Sequence, residues 1–436
     1  MREEITESQT AELDEAFQRA QKALKIIETY DQKTVDRLCQ AVAWSVANKK
    51  TFLQLVDMGI EESKLGDPIS RQSKRFKIRG CLRDALRQKS IGIIEELPEK
   101  GLVKYAKPVG VIASLVPTTN PDLTPAGQAI YAIKARDVII FSSHPRAKKT
   151  TFHTIELMRQ ALKQCGAPED ILQCLENPTK EQTAELMKRA DLVIATGGRP
   201  MVKAAYSSGT PAYGSGAGNA TMIFDETADV EIACHNAMLS KTSDYGSGCS
   251  ADGNLIVSET IFEQVLKSLQ DVGGYFANEQ ERELLKKVMW DEQGHRLADT
   301  VAIKPQLLAS IAGFTIPSPR TKINFLSSGI VNYPFSSEKL TTLMAVFKYE
   351  EPFDNALEMM HQIYEDGGKG HSVGIYSHDL DHIHRLALAA PVSRIMVRQP
   401  QSKANAGSFT NGMPMTSSMG CGTWGGNISS ENISLK

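Results

Sequence analysis

Cys249 lies in SKTSDYGSGCSADGNLIVS (240–258), between Gly248 and Ser250 and just ahead of a β-rich run. A substrate can approach a thiol with such small neighbours, and the exposed backbone amides beside it can hold an oxyanion. An inert packed thiol would look the same, so the case depends on which other groups the chain brings to it. PTTNPDLTP (117–125) sets Thr118 and Asn120 just past an apolar run, where the Asn120 amide can donate to developing negative charge. A plain turn punctuated by Pro117, Pro121 and Pro125 accounts for the same residues. FSSHPRAKK (141–149) offers Ser142, His144 and Arg146 at another strand end, groups suited to a ribose or phosphate. In ATGGRPMVKAAY (195–206), Thr196, Gly197 and Gly198 close a strand and open a helix, whose first N–H groups and dipole favour a pyrophosphate. A further glycine cluster, AYGSGAGNATMIFD (212–225), contains Gly216, and YPFSSEKLTT (333–342) carries Glu338. Turn clusters at several strand ends of one parallel sheet point to a dinucleotide more strongly than any one of them alone.

The elements that must position these groups follow from periodicity. Leu13, Phe17, Ala20, Leu24 and Ile27, then Leu38, Val42, Val46 and Leu53, recur at three- and four-residue steps and predict a helical pair broken near Tyr30-Asp31, then a charged helical stretch to about Lys89. Beyond it, apolar runs at 109–117, 137–141 and 191–196 alternate with helical windows after Pro125, over 148–165 and after Gly198. A second alternating block has strands at 255–258, 343–349, 372–377 and 394–397, with helices at about 260–270, 278–290 and 353–364. The expected fold class is α/β with two doubly wound domains and a ligand cleft between them. A cofactor-binding domain is placed at 1–225, a catalytic domain at 226–415 and an oligomerisation tail at 416–436, with a hairpin element at about 98–108. The Gly-, Ser-, Asn- and Met-rich stretch 405–427 reads as loops wrapping a site or a neighbouring subunit.

Bulk chemistry excludes other classes. The chain has 436 residues, 49 Lys plus Arg against 51 Asp plus Glu, and 41% hydrophobic residues, which suits a large core and offers no general basic surface for nucleic acid. Seven cysteines without a C-x-x-C pair read as reduced thiols and suggest no metal site. The acidic N-terminus lacks a signal-peptide pattern, and the longest apolar stretch, 109–116, is far short of the ~20 residues of a membrane helix. A cytoplasmic location without membrane association is expected.

Taken in order, PTTNP, HPRAK, ATGG with MVKAAYSSG, GAGN, SKT, EKL, GHS and GCGTWGGN resemble the aldehyde dehydrogenase superfamily, specifically its coenzyme-A-acylating branch, from about residue 10 to the end. YPFSSEKL, GKGHSVGIYS and NGMPMTSSMGCGTWGGN are most similar to acylating sulfoacetaldehyde dehydrogenases within it. The resemblance implies Cys249 as nucleophile, Asn120 as oxyanion-hole amide and Glu338 as the acid on the nicotinamide ribose. It puts Ser142 and His144 near the adenosine ribose, Thr196, Gly197 and Gly198 over the pyrophosphate, and His371 of GKGHS at a further catalytic position that a packed core histidine fits equally well. Hydrolytic members carry Glu-Leu-Gly-Gly about 35 residues before the cysteine to activate water; here Gly214-Ser215-Gly216-Ala217 supplies no carboxylate, so the acyl-enzyme should await a thiol.

The implied reaction converts a small aldehyde, NAD or NADP and coenzyme A into an acyl-CoA, in a homodimer or homotetramer. SSHPRAKK carries Arg146, Lys148 and Lys149 and no acid, which makes NADP as plausible as NAD. For a sulfonated aldehyde the expected anion ligand is Arg398, ahead of Gln399, Ser402 and Lys403, with Arg320 and Lys322 as outside candidates. Tyr245, in Ser243-Asp244-Tyr245 where the branch usually has Phe-Asp-Asn, is expected to reshape the pocket, and Lys241 or His371 to favour the Cys249 thiolate. Another small aldehyde such as acetaldehyde, hydrolysis to a free acid, and a catalytically silent assembly protein are the competing readings.

Overall fold

The computed structural model describes residues 5–317, 323–328, 331 and 333–435; Arg320 and Lys322 fall outside them. Two parallel sheets carry the molecule. The first has five strands in the order Leu172–Cys174, Val138–Ser142, Val111–Leu115, Leu192–Thr196 and Ala212–Ser215, every neighbouring pair parallel. Val111–Leu115 and Val138–Ser142 are buried along their whole length, which explains why they read as unbroken apolar runs. The strand order reverses between Val111–Leu115 and Leu192–Thr196, so the segments leaving their carboxyl ends, 116–120 and 197–198, flank the crevice where such sheets bind ligands.

The second sheet has seven strands in the order Gly274–Phe276, Ile323–Ser328, Leu343–Tyr349, Asn254–Ser258, Thr221–Phe224, Val373–Tyr376 and Ile395–Val397, again all parallel. This corrects the expected boundary at residue 225. Thr221–Phe224 pairs with Asn254–Ser258 and Val373–Tyr376, and Met222 and Phe224 pack into the second core, so the chain crosses between sheets within 216–220.

Helices Glu7–Ile27, Gln32–Ala47 and Lys49–Ser63 pack on the first sheet. The pair expected from periodicity is three helices, because the Asn48 side chain accepts the Thr51 N–H and starts a new one. The helix expected after Pro125 begins at Leu123, capped by Asp122, with Pro125 in its first turn where no N–H is needed. The hairpin is longer than expected: Gly92–Leu97 pairs antiparallel with Leu102–Ala106, and Ile93, Ile94, Leu102, Val103 and Tyr105 are exposed on it. The glycine-rich tail folds back over its own chain, where Tyr131 donates to the Met415 carbonyl, Met419 bridges Asn432, and the buried Arg394 guanidinium holds Gly420 O and Asn432 Oδ1. Among the described residues no helix is long and apolar enough to cross a membrane.

Candidate active site

A cavity of about 720 Å³ lies between the carboxyl edge of the first sheet and the amino edge of the second. Cys249, Asn120, Thr118, His144, Arg146, Thr196, Gly197, Gly198, Gly216 and Glu338 all line it. The second sheet thus departs from the usual carboxyl-end rule, since Gly218, Cys249 and Glu338 each precede a strand of it.

Cys249 sits in the loop ahead of Asn254–Ser258 and is partly exposed to the cavity, and its N–H has no acceptor among the described residues. A Cβ on Gly218 would stand 1.9 Å from the Cys249 carbonyl oxygen, so only glycine lets the two backbones approach. The Gly218 N–H in turn donates to Glu338 Oε1 at 2.8 Å, tying the carboxylate to the cysteine loop. Burial pushes the Cys249 thiol up to about 12, with Glu338 and Cys421 adding to the effect and Lys77 and Arg394 opposing it.

Asn120 is held by its acceptor side. Lys74 Nζ donates to Asn120 Oδ1 at 2.7 Å and to the Thr119 carbonyl at 3.1 Å, so the amide nitrogen is the donor end, bonded only weakly to Thr119 Oγ1 at 3.4 Å among the described residues. Lys74 also pairs with Asp244, which accepts from Ser247 Oγ at 2.7 Å and the Asp67 N–H at 2.8 Å. Arg71, fully buried, lies 3.8 Å from Asp244 and 3.7 Å from Asp122. Burial presses the Asp244 carboxyl upward, but Lys74 and Arg71 outweigh it and hold it below the usual carboxylate range. This cluster fastens the helix carrying Lys74, the oxyanion-hole turn and the cysteine loop to one another.

The other side of the cavity fits a pyrophosphate-bearing ligand. Gly198 starts helix Arg199–Tyr206 without a side-chain cap, and a Cβ on Gly216 would meet nothing within 4 Å. The buried Ser215 hydroxyl, which also lines the cavity, has no hydrogen-bond partner among the described residues. His144 Nδ1 accepts the Arg146 N–H, and Arg146 donates to the Ser63 carbonyl. Gly214 turns its Cβ direction against Val202 and Tyr206, so of the Gly214–Ala217 stretch it is Ser215, Gly216 and Ala217 that face the cavity.

Burial raises the Glu338 carboxyl to about 7, against the pull of the Gly218 N–H and Lys241. The folded state therefore keeps a proton that the unfolded state loses near pH 4.5, and stability contributed at this position falls as pH rises from there through about 7. Without ligand, E338Q is expected to stabilise the protein by a few kcal/mol at pH 8 and by far less at pH 5, on the order set by ~1.4 kcal/mol per pH unit. Thermal unfolding at the two pH values measures this, and an equal shift at both contradicts it.

Of the expected residues, Ser142, Lys241, Tyr245, His371, Arg398 and Gln399 lie outside the cavity lining. The Ser142 hydroxyl bonds Thr183 Oγ1 at 2.8 Å, turned toward helix Lys180–Arg189. His371 is 2% exposed, its Nδ1 bonds Ser372 Oγ, and burial with Arg394 nearby pushes its pKa down to about 3, so it is neutral and cannot favour a thiolate by charge. Tyr245 and Asp244 both take left-handed φ values, 49° and 51°; the Asp244 carboxylate meets Lys74, and Tyr245 is not part of the cavity lining. Arg398 follows the carboxyl end of Ile395–Val397, the edge away from the site, and donates to the Ser377 carbonyl. Lys241 faces Asp252 and Glu338, whereas the cations acting on Cys249 are Lys77 and Arg394. Lys74 and Lys77 are not among the expected residues; their one mark in the sequence is the i, i+3 spacing across the start of helix Arg75–Leu86 and the turn before it.

Comparison with known proteins agrees with this geometry. The profile of the aldehyde dehydrogenase family matches residues 2–273. A sulfoacetaldehyde dehydrogenase of Acholeplasma sp is 40% identical over 96% of this chain and 88% of its own length. An acylating sulfoacetaldehyde dehydrogenase of Bilophila wadsworthia is 39% identical, covering 97% of this chain and 92% of that one. The crystal structure of an acetylating aldehyde dehydrogenase from Geobacillus thermoglucosidasius superposes with a TM-score of 0.94 at 34% identity, over 98% of this chain and 94% of that one. A thiol, a positioned amide and a buried carboxylate around one interdomain cavity, with relatives of this identity along nearly the whole length, place the chain in the aldehyde dehydrogenase family.

Proposed function

We propose that the protein is a coenzyme-A-acylating aldehyde dehydrogenase, converting a small aldehyde, best fitted by sulfoacetaldehyde, to its acyl-CoA with NADP or NAD. The observation that carries this reading is the convergence of Cys249, Asn120, the Thr196–Gly198 turn and Glu338 on one cavity whose Gly214–Ala217 wall bears no carboxylate. The names of the relatives support the acylating chemistry and the sulfonated substrate.

Cys249 attacks the aldehyde carbon once its proton has left, and the Asn120 amide and the Cys249 N–H stabilise the oxyanion of the thiohemiacetal. The Thr196–Gly198 helix start and Ser215 would hold the coenzyme's phosphates, His144 and Arg146 its adenosine end, and Glu338 its ribose. A nicotinamide held there would supply the acceptor for the hydride leaving the carbon attached to Cys249. The thioester on Cys249 is then attacked by the thiol of coenzyme A, which releases acyl-CoA and returns the cysteine. Of the carboxylates lining the cavity, Asp244 is engaged by Lys74 and Glu338 is assigned to the coenzyme ribose, which leaves neither to activate water.

The same reading makes residues 1 to about 216 the coenzyme domain and those to 415 the catalytic one. It assigns the exposed apolar hairpin and the 416–436 tail to homodimer or homotetramer contacts in a cytoplasmic enzyme. Purified protein given sulfoacetaldehyde and NAD or NADP is expected to form reduced coenzyme and sulfoacetyl-CoA rapidly only when coenzyme A is present. Fast turnover without coenzyme A would mean a hydrolytic enzyme, a preference for acetaldehyde would displace the sulfonated substrate, and silence with every aldehyde would leave an assembly role.

A further inference from the structure

The cations at the cysteine end of the cavity are not balanced. Lys74 and Arg71 are matched by Asp244 and Asp122. Lys77 and Lys403, which also line the cavity, are in no ion pair among the described residues. Lys403 Nζ donates to Ser243 Oγ at 2.8 Å, leaving two of its N–H groups uncommitted, and Lys77 has no hydrogen-bond acceptor among the described residues. Burial, followed by Lys403, pushes the Lys77 pKa down to about 8, and burial and Lys74 push Lys403 down against Asp244, a carboxylate already paired with Lys74. Two partly buried ammonium groups lining one cavity with a reactive thiol are costly in the empty protein, and an anion bound by both removes that cost.

We infer that Lys77 and Lys403 form the subsite for an anionic group, a sulfonate, carried by the substrate next to its aldehyde carbon. The inference rests on the reading of Cys249 as nucleophile and extends it to substrate selection. Lys77 lines the same cavity as Cys249 and its charge acts on that thiol, which suits an anion carried near the carbon under attack and not one at the far end of a long cofactor. A sulfonate presents three acceptor oxygens, enough for both ammonium groups, and stays charged at every working pH.

Alkylation of Cys249 tests this without turnover. Bromoethanesulfonate places a sulfonate beside its electrophilic carbon, whereas iodoacetamide is neutral. Both read the same thiolate, so their rate ratio cancels any effect of Lys77 on thiol ionisation. Relative to a free small thiol, the wild-type ratio should favour the sulfonate by roughly tenfold to hundredfold, the range of a charge-assisted hydrogen bond. K77M and K403M should each move the ratio back toward the free thiol, with C249A as the labelling blank. K77M should also unfold at a higher temperature than wild type, since it removes an unmatched cation. In turnover, the kcat/KM ratio of sulfoacetaldehyde to acetaldehyde should fall by a similar factor in each variant, through KM of the sulfonated aldehyde. An unchanged alkylation ratio, or a rise confined to KM for coenzyme A, overturns the inference and gives the lysines to a phosphate of the cofactor. A sulfonate-selective alkylation without acyl-CoA formation keeps the subsite and discards the acylating reading.

Discussion

Replacing Cys249 by alanine is expected to lower acyl-CoA formation by roughly 10⁴-fold or more, the scale seen when a covalent nucleophile is removed. The loss should fall on kcat, because the side chain forms and breaks bonds and the rest of the cavity still binds. Cys421 is the thiol that makes this a sharp test. It is close enough to raise the Cys249 pKa, yet it is 1% exposed, does not line the cavity, and donates to the Met419 carbonyl. C421S should therefore lose far less turnover than C249A, and the reverse order would move the nucleophile to the tail. The raised thiol adds a pH signature. With burial holding Cys249 up to about 12, its alkylation in the ligand-free protein should climb about tenfold per pH unit from 7 to 9 without a plateau. A plateau below pH 8 would mean that Lys77 and Arg394 prevail over burial and Glu338.

The strands were legible where burial is two-sided. VIASL and VIIFS carry no polar face to interrupt them, while Leu172–Cys174 is too short to register and Thr221–Phe224 hides behind a glycine cluster. The coenzyme side of the site was legible for a related reason, because it lies at carboxyl ends of the first sheet, where turn residues such as Thr196 to Gly198 mark themselves by type. The second sheet defeats that rule. Its site is at the amino edge, so Arg398, after Ile395–Val397, points to the wrong end of its strand. Arg394, just before the same strand, is the guanidinium that acts on Cys249. Helical cations are the other blind spot. Lys74 and Lys77 belong to the charged stretch RQSKRFK, and periodicity cannot tell a solvated face from one turned into a cleft formed by residues hundreds of positions away.

Removing the Asn120 amide tests whether that cleft performs the chemistry assigned to it. N120A is expected to lower kcat/KM by about 10²- to 10³-fold, the cost of one oxyanion-hole donor. Its rate of alkylation by iodoacetamide should move little, because that displacement builds no oxyanion. Lys74 is a positioning residue in this scheme. Its ammonium takes the Asn120 Oδ1 lone pair at 2.7 Å and so fixes which end of the amide meets the substrate. K74M frees the amide to flip and leaves Asp244 facing Arg71 at 3.8 Å as its remaining cation, so it should cost both rate and stability. The two costs separate in a double-mutant cycle. If Lys74 acts through Asn120, K74M lowers kcat by roughly tenfold or more in the wild-type background and by almost nothing in N120A, while the drop in unfolding temperature is the same in both. Additive losses of kcat would show that Lys74 serves only to neutralise Asp244, and the orientation of the oxyanion donor would then have to come from the Pro117–Asn120 turn itself.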